Sequence, residues 1–141
     1  MKPTRLLPAL VLFALVTVEF GGWSLLGLLT QRDALNPFEE QFFRAGHAHA
    51  GVLLVLSLVF FVFLGRTSFA ESTQWVLGLG LLAGILLQSG GFFLHMLIGE
   101  EGSSSAGTQL TRVGAVLIAA ALVALGVGLL RTRDRAPTSA A

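Results

Sequence analysis

Four stretches of the chain are almost continuously apolar, and their few polar positions are isolated. Residues 6–29 are interrupted only by Thr17, Glu19 and Ser24. Residues 46–64 carry His47, His49 and Ser57; residues 75–98 carry Gln88, Ser89 and His95; residues 113–130 carry no polar side chain. Each run matches the roughly 17–25 residues that a helix needs to cross a bilayer's hydrocarbon core. An isolated strand there would leave backbone groups unpaired in lipid, so helices are the reading. The fold class expected is therefore all-α: an integral membrane four-helix bundle, up-down-up-down, forming one domain over residues 1–135. Residues 136–141 are expected to be a disordered tail.

The segments between the runs differ in character. Residues 65–74 read as a short polar turn, and residues 99–109 (GEEGSSSAGTQ) as a flexible loop. In residues 30–44, Asn36-Pro37 followed by Glu39 and Glu40 has the form of an N-cap, a proline at the first helical position and acids placed against the helix dipole. Phe38 and Phe42 are four apart and share a face. This predicts a short interfacial helix between spans 1 and 2, either separate or running into the second span.

Composition agrees with the pattern. Of 141 residues, 54% are hydrophobic and 12% charged, which is too apolar for an ordinary soluble domain. The formal charge of +1 gives no footprint for nucleic acid, and the absence of cysteine excludes disulfides and thiolate chemistry. Lys2 and Arg5 resemble the charged start of a signal peptide, but the apolar run after them is too long and lacks a small-x-small cleavage site. Four spans place both termini on one side, with Lys2, Arg5, Arg66, Arg131, Arg133 and Arg135. The other side holds Arg32, Arg44 and Arg112. The positive-inside rule then gives cytoplasmic termini, in a bacterial inner membrane, with the second and third spans meeting near the outer face.

That meeting point is where the candidate chemistry lies. His47 and His49 stand at the start of the second run, and His95 near the end of the third. At about 1.5 Å per residue all three fall within one helical turn of the same depth. Residues two apart on a helix diverge by about 200°, so His47 and His49 face different neighbours and cannot easily share one ion. Gly91, one turn below His95 on the same face, leaves room beside the imidazole. A haem b or a transition metal ion can use that room, with His47, His49 and His95 as ligands and Arg44 as interfacial anchor or as partner to Glu39, Glu40 or a propionate. A neighbouring helix can use it equally well, since small residues are the usual membrane-helix contact.

The His47-Ala48-His49 triplet resembles the haem-ligating helix of haem–copper oxidase catalytic subunits. The resemblance implies that each imidazole serves a different haem, with His95 as an opposing axial ligand. It covers one helical turn. The chain has four spans rather than that family's larger bundle, no further histidines for a copper centre and no tyrosine. Oxygen reduction is therefore not implied, and electron transfer or redox and gas sensing is.

A second polar set lies deeper. Glu19, Gln88 and Ser57 share a level roughly 15 Å inward, counted along their helices. A charged carboxylate at a helix centre costs about 2.5–3.5 kcal/mol on insertion scales. Glu19 is thus expected to face the bundle, either in a proton relay with the histidines and Gln88 or in a structural hydrogen bond to Gln88. The relay implies a proton or small-molecule transporter component, and four helices are few for a pore, so it implies a homo-oligomer or larger membrane complex. An accessory subunit that binds another membrane protein through its small-residue faces is the third reading.

Overall fold

The computed structural model describes residues 1–31 and 34–132. These form four α-helices, α1 (Pro3–Leu29), α2 (Pro37–Leu64), α3 (Glu71–Ile98) and α4 (Ala106–Arg131), and no strand among the described residues. At about 1.5 Å per residue the shortest, with 26 residues, still exceeds a hydrocarbon core about 30 Å thick. Each contains a window of mean hydropathy between 1.8 and 2.7. The chain is thus built as an integral membrane four-helix bundle. The expected tail, 136–141, lies outside the described residues.

Neighbouring helices run antiparallel. Gly65, after α2, lies beside Thr4 of α1, while His47, near the other end of α2, lies against Gly21 and Gly22. Phe69, before α3, meets Gly128 of α4, and Gly91 meets Gly107. One end of the bundle therefore carries the helix starts of α1 and α3; the opposite end carries all three histidines.

Both helices that start at the histidine end are fully capped. Asn36 Oδ1 accepts the Glu39 N–H at 2.9 Å, and Glu39 Oε2 accepts the Asn36 N–H at 2.8 Å, with Pro37 following. Ser105 Oγ accepts the Gly107 N–H at 3.0 Å, and Thr108 Oγ1 accepts the Ser105 N–H at 2.9 Å. The expected short helix after Asn36 is not a separate element: Pro37–Leu64 is unbroken. Gly46 and Gly51 cost about 1 kcal/mol each in propensity, less than the several kcal/mol of leaving a backbone pair open in lipid.

The closest contact in the bundle is between α3 and α4. A Cβ on Gly84 would stand 3.0 Å from the Gly114 carbonyl oxygen and 2.9 Å from Ile118. A Cβ on Gly91 would meet the Gly107 oxygen at 2.6 Å, and one on Gly114 the Gly84 oxygen at 2.5 Å. Two glycines seven apart on each helix form this seam, so the backbones touch where side chains would normally intervene. Thr111 Oγ1 bonds across it to the Gln88 oxygen at 3.3 Å.

The apolar core fills the half away from the histidines. Leu7 and Val11 of α1 pack with Phe60, Phe61 and Leu64 of α2, Leu81 and Ile85 of α3, and Ile118, Ala121 and Leu125 of α4. Gly78 makes space for Leu7 and Phe61. α1 is the most lightly held: 11% of its apolar window is buried, against 22–33% in the other three.

The seam makes a testable difference between glycines. Gly84→Leu or Gly114→Leu is expected to lower stability by about 1–3 kcal/mol through overpacking. Gly80→Leu and Gly126→Leu, with open space at the Cβ position, are expected to be near neutral. Unfolding of the four variants in one detergent measures this; equal loss in both pairs would show that the seam is not the tight contact.

Candidate functional site

The three imidazoles take three different surroundings. His95 is 3% exposed. Its Nδ1 lies 2.7 Å from Ser105 Oγ, so the residue that caps α4 also holds this ring. Two rings from the start of α2 close over it edge to face: Phe42 at 4.5 Å and Phe38 at 5.5 Å between centroids. The backbone of Gly107 presses on that of His95, and Gly99 leaves space for the imidazole. On its open side a cleft of about 200 Å³ is lined by Phe92, Thr108, Thr111 and Arg112.

His49 faces α3. Its ring centroid is 4.7 Å from that of Phe92, and its Nδ1 is 2.8 Å from the Ala45 carbonyl oxygen. A carbonyl only accepts, so Nδ1 carries the proton, and in the neutral ring Nε2 keeps the lone pair. Between His49 and His95 stand Phe92 and Phe42, whose centroids are 6.3 Å apart. The rings form an aromatic path, not a facing pair.

His47 turns the other way, onto α1. Its Nε2 is 3.1 Å from where a Gly22 Cβ would lie, and its Nδ1 3.5 Å from that of Gly21. The Gly21-Gly22 pair is therefore a slot cut to the imidazole. Glu19, three residues before Gly22, shares that face of α1. Glu19, His47, Ala48 and Gly51 line one groove of about 420 Å³ between α1 and α2, walled by Leu15, Val18, Val52 and Val55. Neither Glu19 nor His47 has a hydrogen-bond partner among the described residues.

Several placements differ from the sequence-based expectations. Glu19 is exposed on the outside of the bundle, not turned into it. The stripe of α1 that faces the other helices runs through Leu7, Val11 and Leu25, with Val18 along it; Glu19 is one residue, about 100°, away from Val18. It makes no bond to Gln88, which belongs to the α3–α4 seam instead. Ser57 is fully buried and bonded to the Leu54 oxygen at 2.7 Å, remote from any relay. A Cβ on Gly91 would meet Thr111 and the Gly107 carbonyl, and Gly91 itself lines the cleft beside His95. Arg44, by contrast, takes one of the partners expected for it, Glu40 at 2.7 Å, one turn back on the exposed side of α2. Among the described residues no three His, Asp or Glu side chains group as a metal-binding set.

These facts limit the chemistry. The cleft beside His95 measures about 200 Å³, and Phe92 and Phe42 stand between His49 and His95. What the arrangement does offer is an acid and an imidazole lining one groove within the membrane-spanning region, neither with a hydrogen-bond partner among the described residues. Ser105, Phe38 and Phe42 were not foreseen around His95. The spacing of Ser105 and Thr108 ahead of an apolar run was the available signal.

The Ser105 contact joins a helix cap to a buried ring, which predicts coupled losses. Ser105→Ala should cost about 0.5–2 kcal/mol, and His95→Ala should cost much less in that background than in the native chain. A double-mutant unfolding cycle measures the coupling, expected at about 1 kcal/mol; strict additivity would show that cap and imidazole act independently.

No family model, curated protein or solved structure matches this chain, so its reading rests on its own residues.

Proposed function

We propose that this protein is a component of proton-linked transport across a membrane, with Glu19 and His47 as its proton-exchanging pair. The observation that carries the reading is the position of Glu19. It lies in the middle of a membrane-spanning helix, exposed, in one groove with an unpartnered imidazole. An ionised carboxylate at such depth costs about 2.5–3.5 kcal/mol, and ionisable groups kept there mark pathways for protons or substrates. The groove lies along α1, the helix with the smallest buried share of its apolar window, 11%. In orientation, the lower basic content of the histidine end favours placing it outward, with both termini cytoplasmic. Protons would then reach His47 from the outer face and Glu19 one turn deeper.

The test is proton flux into liposomes under an imposed potential, read with a pH-sensitive dye. Wild type should exceed empty liposomes, and Glu19→Gln should abolish most of the difference, whereas Glu101→Gln in the α3–α4 connection should not. Flux equal to empty liposomes, or unchanged in Glu19→Gln, would overturn the proposal.

A second reading is favoured by His49 alone. Metal-bound histidines typically donate their other ring N–H to a carbonyl or carboxylate, and His49 Nδ1 does so to Ala45. His49 would hold a transition metal ion, or a haem iron after displacement of Phe92, for electron transfer or redox and gas sensing. Purified protein should then show bound metal or a Soret band that disappears in His49→Ala. A colourless, metal-free preparation would remove this reading and leave the first intact.

A further inference from the structure

We infer that the Glu19–His47 groove binds the hydroxyl- or carbonyl-bearing head of a lipid-soluble molecule, of the quinol or isoprenoid-alcohol type. The inference rests on the proton-linked reading of the same two residues and names what they act on.

Entry is the first argument. The groove opens sideways, on the surface of two membrane-spanning helices, and its walls are Leu15, Val18, Val52 and Val55. A ligand arriving there comes through the hydrocarbon, so its body must be apolar. Its volume of about 420 Å³ lies within the usual range of roughly 300–1,000 Å³ for small-ligand sites.

The floor is the second argument. Ala48 and Gly51 on α2, and Gly21 and Gly22 on α1, remove bulk around His47. The two polar groups offered are complementary in kind: an imidazole both donates and accepts, and a carboxyl group accepts or, when protonated, donates. A hydroxyl or carbonyl head satisfies both at once. A phospholipid headgroup belongs at the membrane surface, not at the depth of Glu19. A fatty acid would set a second carboxyl group against Glu19.

A second copy of the chain is a poorer occupant. Two-fold packing through this face would bring Glu19 toward its own counterpart. The nearby hydroxyls cannot answer it, because Thr17 Oγ1 is bonded to the Ala14 oxygen at 2.6 Å and Ser24 Oγ to the Phe20 oxygen at 3.0 Å. The remaining exposed residues of this part of α1 are Phe13, Val16, Phe20 and Trp23, which suit lipid or an apolar ligand tail.

Trp23 provides the measurement. It is exposed, four residues from Glu19 on the same helix face, and the only other tryptophan is Trp75 at the opposite end of the bundle. In a Trp75→Phe background, in lipid nanodiscs, a decyl-substituted benzoquinone should quench Trp23 to saturation. Its quinol and farnesol, added separately as competitors, tell a ring-borne head from a simple isoprenoid alcohol. Glu19→Gln and His47→Ala should each weaken binding by about tenfold, the scale of one lost buried hydrogen bond. Ser89→Ala, in the separate apolar cleft on the other side of α1, should not change it.

Quenching that never saturates, that neither substitution alters, or that follows Ser89 instead, would overturn the inference. Loss of quenching with proton flux retained would remove the ligand and keep the proton reading. Saturable, Glu19-dependent quenching without flux would remove the proton reading and keep the ligand site. The conservative Gly22→Leu substitution, which fills the slot of the His47 ring without removing either polar group, should also weaken binding; its folding is checked by the same unfolding measurement used for the seam.

Discussion

The contact on which the other placements depend is the one between the backbones of α3 and α4. In lipid there is no hydrophobic gain from pressing helices together, so their association relies on close van der Waals fit and a few polar bonds. Gly84 and Gly91 on one helix and Gly107 and Gly114 on the other provide that fit, and Thr111 adds a bond to the Gln88 carbonyl. The antiparallel register they set carries the start of α4 up beside the end of α3. Ser105 arrives at hydrogen-bond distance from His95 in this register, across a loop turned at Gly102 and tied by Ser103 to the Glu100 oxygen.

Both capping boxes lie at the end of the bundle that carries the histidines. A capping box at Asn36 and another at Ser105 tie down otherwise unpaired N–H groups. Each cap also brings a functional neighbour. The first begins the turns that carry Phe38 and Phe42 over His95, and the second supplies the hydroxyl on its ring. His95 is thereby locked by three elements at once. His47 is held only by the fit of its ring in the Gly21-Gly22 slot, on the helix that the bundle grips least. Rigidity at His95 and freedom at His47 are opposite uses of the same residue type, and the freer one is the better candidate for exchange with a ligand or proton.

The sequence was informative where the solvent is the deciding factor. Apolar runs end at Leu29, Leu64, Ile98 and near Arg131, and so do the helices, because charged or glycine-rich turns follow each. The helix starts were less legible, apart from the Asn36-Pro37 start of α2, which its cap residues announced. α2 begins at Pro37, α3 at Glu71 and α4 at Ala106, all before the apolar runs, since their first turns are amphipathic or polar and sit outside the hydrocarbon window. The inside and outside of α1 were not legible either. In a soluble helix a polar stripe marks the exposed face. Here lipid accepts the same residues as the core, so Leu7 and Phe13 give no contrast, and it is packing such as that of Leu7 against Gly78 that sets the inward side. Glu19 then follows by its angular offset, and its exposure is a consequence of packing elsewhere on the helix.

That consequence also explains why the groove is plausible as a site and not as a defect. Packing alone would tolerate a serine or alanine at position 19, because nothing in the bundle contacts it closely. A glycine pair would likewise be unnecessary opposite position 47 if a small residue stood there. An acid facing out, an imidazole beside it, and bulk removed from α1 at Gly21 and Gly22 and from α2 at Ala48 and Gly51 are three separate departures from the cheapest apolar surface. Each costs stability or insertion energy by itself. Their coincidence within one helical turn is accounted for when something polar, carried by something apolar, occupies the space between them.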